Sequence, residues 1–160
     1  MDDGLLATYL NDHLAGATGG LELFRRATAA QRDTPAGREL ERLTAQVAQD
    51  RESLRTIMST LGVAERTYKV WAGWALEKAA RFKPNGFLVQ RSPLSDLVEL
   101  EALVLGVTGK GAGFRALRAA ALPALDDAEL DRLIGRAEQQ VEVLEDLRQA
   151  AAARALPPTP

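Results

Sequence analysis

The sequence predicts an all-α domain built as a bundle of four long helices. Two observations carry this. Apolar residues recur at alternating three- and four-residue spacing through four stretches of about 25 residues, which puts them on one stripe of a helix. Residues that start or stop helices stand between those stretches. Length and composition agree: 160 residues with 46% hydrophobic and 26% charged content suit a single globular domain.

The first helix runs from Leu5 to about Ala30 on a stripe of Leu6, Leu10, His13, Ala17, Gly20, Phe24 and Ala27. A stripe through Leu10, Leu14, Ala17 and Leu21 is the alternative, and it moves His13 to the edge. Asp33, Thr34 and Pro35 break the chain, with Thr34 as N-cap and Pro35 in a first turn where its missing N–H costs nothing. The second helix carries Leu40, Leu43, Val47, Asp50, Leu54, Ile57 and Leu61, a heptad pattern with an aspartate in one core slot, and stops at Gly62. Between Val63 and Arg91, Tyr68, Trp71, Trp74 and Lys78 mark a shorter amphipathic crossover helix, followed by a turn at Lys83-Pro84-Asn85-Gly86. Ser92 and Pro93 repeat the cap-and-proline start for the third helix, which ends near Pro123. That helix is apolar almost all round between Leu97 and Val107, so it is expected to be the most deeply buried. Asp126 with Glu129 forms a capping-box-like start for the fourth helix, striped by Leu130, Leu133, Ala137, Val141, Leu144 and Arg148. Residues 4–155 form one domain, and 156–160 a flexible tail.

Composition removes several chemistries. The chain contains no cysteine, which excludes disulfides, iron–sulfur clusters and thiol nucleophiles, and one histidine, which excludes any site needing two imidazoles from one copy. A net charge of −2 and few aromatic residues give no reason to expect nucleic acid. No basic, apolar leader opens the sequence and no apolar run reaches about 18 residues, so a cytoplasmic protein is expected.

Two helical hairpins joined by a long crossover resemble the ferritin-like superfamily in up-down-down-up topology. Local wording is similar as well. Tyr9-Leu10-Asn11-Asp12-His13-Leu14-Ala15 resembles the family's opening helix, and Gln49-Asp50-Arg51-Glu52-Ser53-Leu54 the stretch that carries Glu-x-x-His, with Asp50 at the glutamate and Ser53 at the histidine. Ala137-Glu138-Gln139-Gln140-Val141 resembles the second such motif, with Glu138 kept and Val141 in place of histidine. Gly16 or Ala17 falls where the first helix would supply a glutamate. The resemblance implies the fold and possible homo-oligomerisation, with a reduced set of iron or manganese ligands.

Candidate metal ligands are His13, Asp50, Glu101 and Glu138. If the first hairpin turns near residue 33, His13 lies opposite residue 53 with Asp50 about one turn away, and the simplest expectation is a buried carboxylate–imidazole pair. Glu101 shares a face with Val98, Leu105 and Thr108 and is expected to be a buried carboxyl with a raised pKa or a firm partner. Levels along the second hairpin set Glu101 beside Leu147 and Glu138 beside Lys110, nearly three turns apart. The glycine-rich Gly106-to-Gly113 stretch lacks the spacing of a phosphate loop and is expected to mark close packing or a kink.

The favoured function is a non-catalytic binding or self-assembly bundle. A metal-dependent oxidoreductase using His13, Asp50 and Glu101 is the alternative. The crossover offers a third reading, because residues 64–92 carry Arg66, Lys69, Lys78, Arg81, Lys83 and Arg91 against Glu65 and Glu77. Lys69, Lys78, Arg81 and Lys83 around Trp71 and Trp74 could meet an acidic partner or anionic membrane. Packing of both rings onto the bundle is the favoured role. It predicts no tryptophan emission shift with anionic vesicles at low salt and a loss of about 3–5 kcal/mol on Trp71→Ala or Trp74→Ala, read by urea unfolding.

Overall fold

Proline and hydroxyl punctuation set where the helices begin. The computed structural model describes residues 3–66 and 92–156. Their regular structure is α1 (Asp3–Ala30), α2 (Pro35–Thr60), α3 (Pro93–Ala120) and α4 (Asp127–Ala155), an all-helical four-helix arrangement. The predicted crossover helix, with Lys69, Trp71, Trp74, Lys78, Arg81 and Lys83, lies outside the described residues. No helix among the described residues is long and apolar enough to cross a membrane.

The starts of α2, α3 and α4 are each capped by a side chain where the first backbone N–H groups lack helical partners. Thr34 Oγ1 accepts from the Gly37 amide at 3.1 Å, with Pro35 in the first turn. Ser92 and Ser95 cap reciprocally at the head of α3, their hydroxyls accepting from each other's amides at 3.3 and 3.4 Å. Asp126 accepts from the Ala128 amide at 3.0 Å. Glu129, expected to reach back to that cap, instead binds Arg132 Nε at 2.7 Å and Nη2 at 2.6 Å.

The helix ends differ. Beyond α2, Gly62 has φ +68°, its amide donates to Ser59 O, and the Val63 amide reaches Met58 O at 2.9 Å, the paired closure a left-handed residue allows. Beyond α3 the same left-handed conformation falls on Ala121, at φ 47°, where a Cβ makes it strained.

α1 packs along α2, α3 along α4, α1 beside α3 and α2 beside α4. Two apolar clusters fill the interior. One joins Leu10 and Leu14 of α1, Leu54 to Met58 of α2, Phe114 and Leu117 of α3, and Leu130 and Leu133 of α4. The other joins Leu21, Phe24 and Ala27 with Leu40, Leu43 and Val47, the α3 residues Leu97 to Val107, and Ala137, Leu144 and Ala151. Hence the start of α1 meets the end of α3 and the start of α4.

Leu10, Leu14 and Leu21 of the alternative α1 stripe are buried, joined by Phe24 and Ala27 of the first, and His13 sits at the edge. Asn11 shares the buried side. Its Nδ2 donates to Ala7 O at 2.8 Å and Ala64 O at 3.1 Å, and its Oδ1 accepts from the Arg66 amide at 2.7 Å, fastening the chain after α2 to the opening of α1. Within the Leu97–Val107 run of α3, expected to be the most deeply buried element, Leu105 is exposed, since among the described residues α3 is met on two sides, by α1 and α4.

The first turn and the α3 terminus respond oppositely to small changes. A Cβ on Gly37 would stand 2.0 Å from Gln31 O, so Gly37→Ala is expected to destabilise by about 2–4 kcal/mol. Ala121→Gly relieves strain and should stabilise by about 1 kcal/mol. Urea unfolding of the two variants checks both signs.

Candidate ligand groove above a charged core layer

Heptad spacing puts Asp50 inward between Val47 and Leu54, and it is 1% exposed. A bare carboxylate there would be very costly, so the surrounding helices supply cations. Lys110 of α3 donates from Nζ to Asp50 Oδ2 and Gln140 Oε1, and Arg136 of α4 sets Nη2 against Asp50 Oδ1. Gln140 Nε2 donates to Asp50 Oδ2 at 3.1 Å and Gln46 Oε1 at 3.2 Å, and Arg136 Nη1 donates to Gln49 Oε1 at 3.1 Å. Arg136 Nε is buried without a hydrogen-bond partner. The layer holds two cations and one carboxylate, one positive charge in excess. Burial pushes the Lys110 ammonium below the ordinary lysine range; Arg136 adds to this, and Asp50 opposes it.

The layer is built from α2, α3 and α4. At the same level α1 offers only Gly16, Ala17 and Gly20, which leaves a groove of about 440 Å³ between α1 and α3 with Asp50 and Lys110 in its wall. His13 marks where those helices touch, since a Cβ on Gly113 would lie 2.7 Å from its ring. Its edge also meets the Tyr9 ring, centroids 4.6 Å apart at 63°. Desolvation lowers the His13 pKa, against an opposing pull from Asp12. From this contact the antiparallel register sets Gly16 level with Lys110 and Gly20 level with Gly106.

The glycine-rich stretch therefore has two roles. Gly111 and Gly113 mark close packing, against Ala137 Cβ at 3.3 Å and the His13 ring. Gly106 and Gly109, like Gly16 and Gly20, face open space: a Cβ on any of them would meet nothing within 4 Å.

The four sequence-predicted ligands are placed apart. His13 and Asp50 both line the groove, but the expected pair does not form, because Lys110, Gln140 and Arg136 take the Asp50 oxygens. Glu101 is exposed rather than buried, since its face of α3 turns outward, and lies 3.8 Å from Arg148 Nη1. Glu138 is exposed and 3.4 Å from Arg115 Nη1. No group of three or more acidic or imidazole side chains among the described residues is placed to hold a metal ion.

Lys110, Arg136 and Gln140 were not singled out from the sequence as site residues. Two of them leave a signal there: Leu103, Val107, Lys110, Phe114 and Leu117 keep the alternating core spacing, as do Leu133, Ala137, Gln140 and Leu144. A polar residue in a core slot on each of three helices is the mark of a polar layer.

Comparison of the chain with family models, curated proteins and solved structures finds no match.

Asp50→Ala leaves two buried cations without a counter-ion and is expected to cost about 3–5 kcal/mol. Lys110→Met leaves Asp50 balanced by Arg136 and should stay within about 1.5 kcal/mol of the parent. A lysine with a lowered folded-state pKa weakens the fold while protonated. That penalty is relieved as pH rises from the lowered value towards 10.5. Urea unfolding across this range should show the parent gaining stability relative to Lys110→Met.

Proposed function

We propose that this chain is a non-catalytic binding protein of ferritin-like architecture whose ligand site is the α1–α3 groove. The carrying observation is the neutralisation of Asp50 by the chain's own cations. Asp50 stands where the resemblance puts a metal-ligating glutamate, and Lys110 and Arg136 occupy the side of it that a metal ion would need. The helix directions support the architecture, since α1 and α4 run one way and α2 and α3 the other, and α2 ends at the opposite end of the bundle from where α3 begins. These directions support the up-down-down-up order, with residues 61–92 as the long link.

The groove supplies the binding role. Its volume falls in the range of small-molecule sites, roughly 300–1,000 Å³, and its lining is mostly apolar with a few charged groups, Asp12, Asp50, Arg51 and Lys110, the usual composition of such sites. Open glycines add a second reason. Each costs a helix interior about 1 kcal/mol relative to alanine, and nothing in the free protein forbids the methyl group.

Self-association through the outer face of α3 is the second reading, favoured by Leu94 and Leu105, both exposed and three turns apart on one side of that helix.

Metal titration separates binding protein from oxidoreductase. Iron(II) and manganese(II) added to purified protein should give no saturable uptake by calorimetry and no rise in melting temperature. Stoichiometric uptake abolished by His13→Ala or Asp50→Asn would refute the reading.

A further inference from the structure

We infer that the groove takes a linear amphiphile with a single carboxylate head, the head at Lys110 and the alkyl chain lying between α1 and α3 towards Gly20 and Gly106. The inference rests on the groove being a ligand site and adds the chemical class of the ligand.

Charge sets the head. Asp50, Lys110 and Arg136 are nearly enclosed, with side-chain exposures of 1%, 14% and 16%, and together carry one positive charge in excess; Asp12 and Arg51, which also line the groove, are one of each sign and leave that sum unchanged. A monoanion entering the groove balances this charge, whereas a cation adds to it and a neutral group leaves it unchanged. Hydrogen bonding agrees. The Lys110 ammonium has three donors, and Asp50 and Gln140 use two, which leaves one for a ligand oxygen. A charge-assisted bond in a partly dry groove is stronger than a neutral one.

Shape sets the tail and its direction. On one side of Lys110, His13 seated on Gly113 narrows the groove within a turn, and Leu10, Phe114 and Leu117 line it beyond that contact. On the other it runs from Gly109 to Ala102 beside Gly16 and Gly20, about 11 Å at 1.5 Å per residue, roughly the reach of an eight- to ten-carbon chain. Leu23, Phe24, Leu103 and Val107 line that half, and Leu105, 72% exposed, stands over it as an apolar rim. A leucine left in water beside an apolar channel gains cover when an alkyl chain fills the channel.

The test compares decanoate, decanol and decyltrimethylammonium, each below its micelle concentration, by isothermal titration calorimetry with the full chain. Decanoate should bind one per chain and at least about tenfold more tightly than decanol, with decyltrimethylammonium weakest. Lys110→Met, which keeps Asp50 balanced by Arg136, should bring decanoate and decanol within about twofold of each other. Gly106→Leu, whose Cβ meets nothing within 4 Å and whose helicity circular dichroism should show unchanged, should abolish binding of all three. Equal binding of decanoate and decanol to the parent, or a preference that survives Lys110→Met, overturns the carboxylate assignment and leaves the groove as an apolar site. Tightest binding by decyltrimethylammonium overturns it in favour of a cation facing Asp50. No binding by any of the three, with circular dichroism showing the parent folded, overturns the groove as a ligand site as well.

Discussion

A carboxylate buried among apolar side chains must be neutralised, and around Asp50 that requirement organises the molecule. Its partners come from α3 and α4, so the ion pairs tie the first hairpin to the second across the bundle. The layer also divides the interior. Val47, Val107 and Ala137 lie on one side of it, and Leu54, Phe114 and Leu133 on the other. A polar layer between two apolar clusters fixes register, because sliding either hairpin by one turn would set Lys110 and Arg136 against leucine and leave Asp50 alone.

The same layer explains why the groove lies where it does. Three helices contribute long polar side chains to it, and the fourth contributes Gly16, Ala17 and Gly20, which are too small to reach across. Elsewhere along α1, Leu14 and Leu21 enter the two clusters and close the contact. The opening is thus a local consequence of which residues α1 carries at one level.

Much of the fold was legible in the sequence, since it depends on local chemistry. Thr34-Pro35, Ser92-Pro93 and Asp126 each announce a helix start by the hydroxyl or carboxylate that caps it, and Gly62 announces a stop by its freedom at positive φ. Ala121 takes the same left-handed conformation with no such signal. The burial of Asp50 followed from heptad spacing, but its partners did not: spacing places a residue on a face and does not say which of two facing helices will supply the counter-charge. His13 was the natural candidate by level, and it lost because α1 turned Leu14 inward, rotating the imidazole onto Gly113. Glu101 was misplaced for a related reason. A helix rich in apolar residues all round gives no clue to which side is left outward, and here Leu105 went out with the glutamate.

Asn11 has a mechanical meaning beyond its hydrogen bonds. It fixes one end of α1 to Ala64 and Arg66, while the Thr28–Thr44 hydroxyl contact at 2.9 Å and the capped turn at Thr34 fix the other. The helix is therefore a beam clamped at both ends and tied to α2 at mid-span only by Arg51 Nε, which donates to Thr18 Oγ1 at 3.0 Å between Gly16 and Gly20. A beam held in this way cannot swing outward as a rigid lever. It widens the space beneath it only by bowing, and glycines at mid-span are where a helix bends most easily.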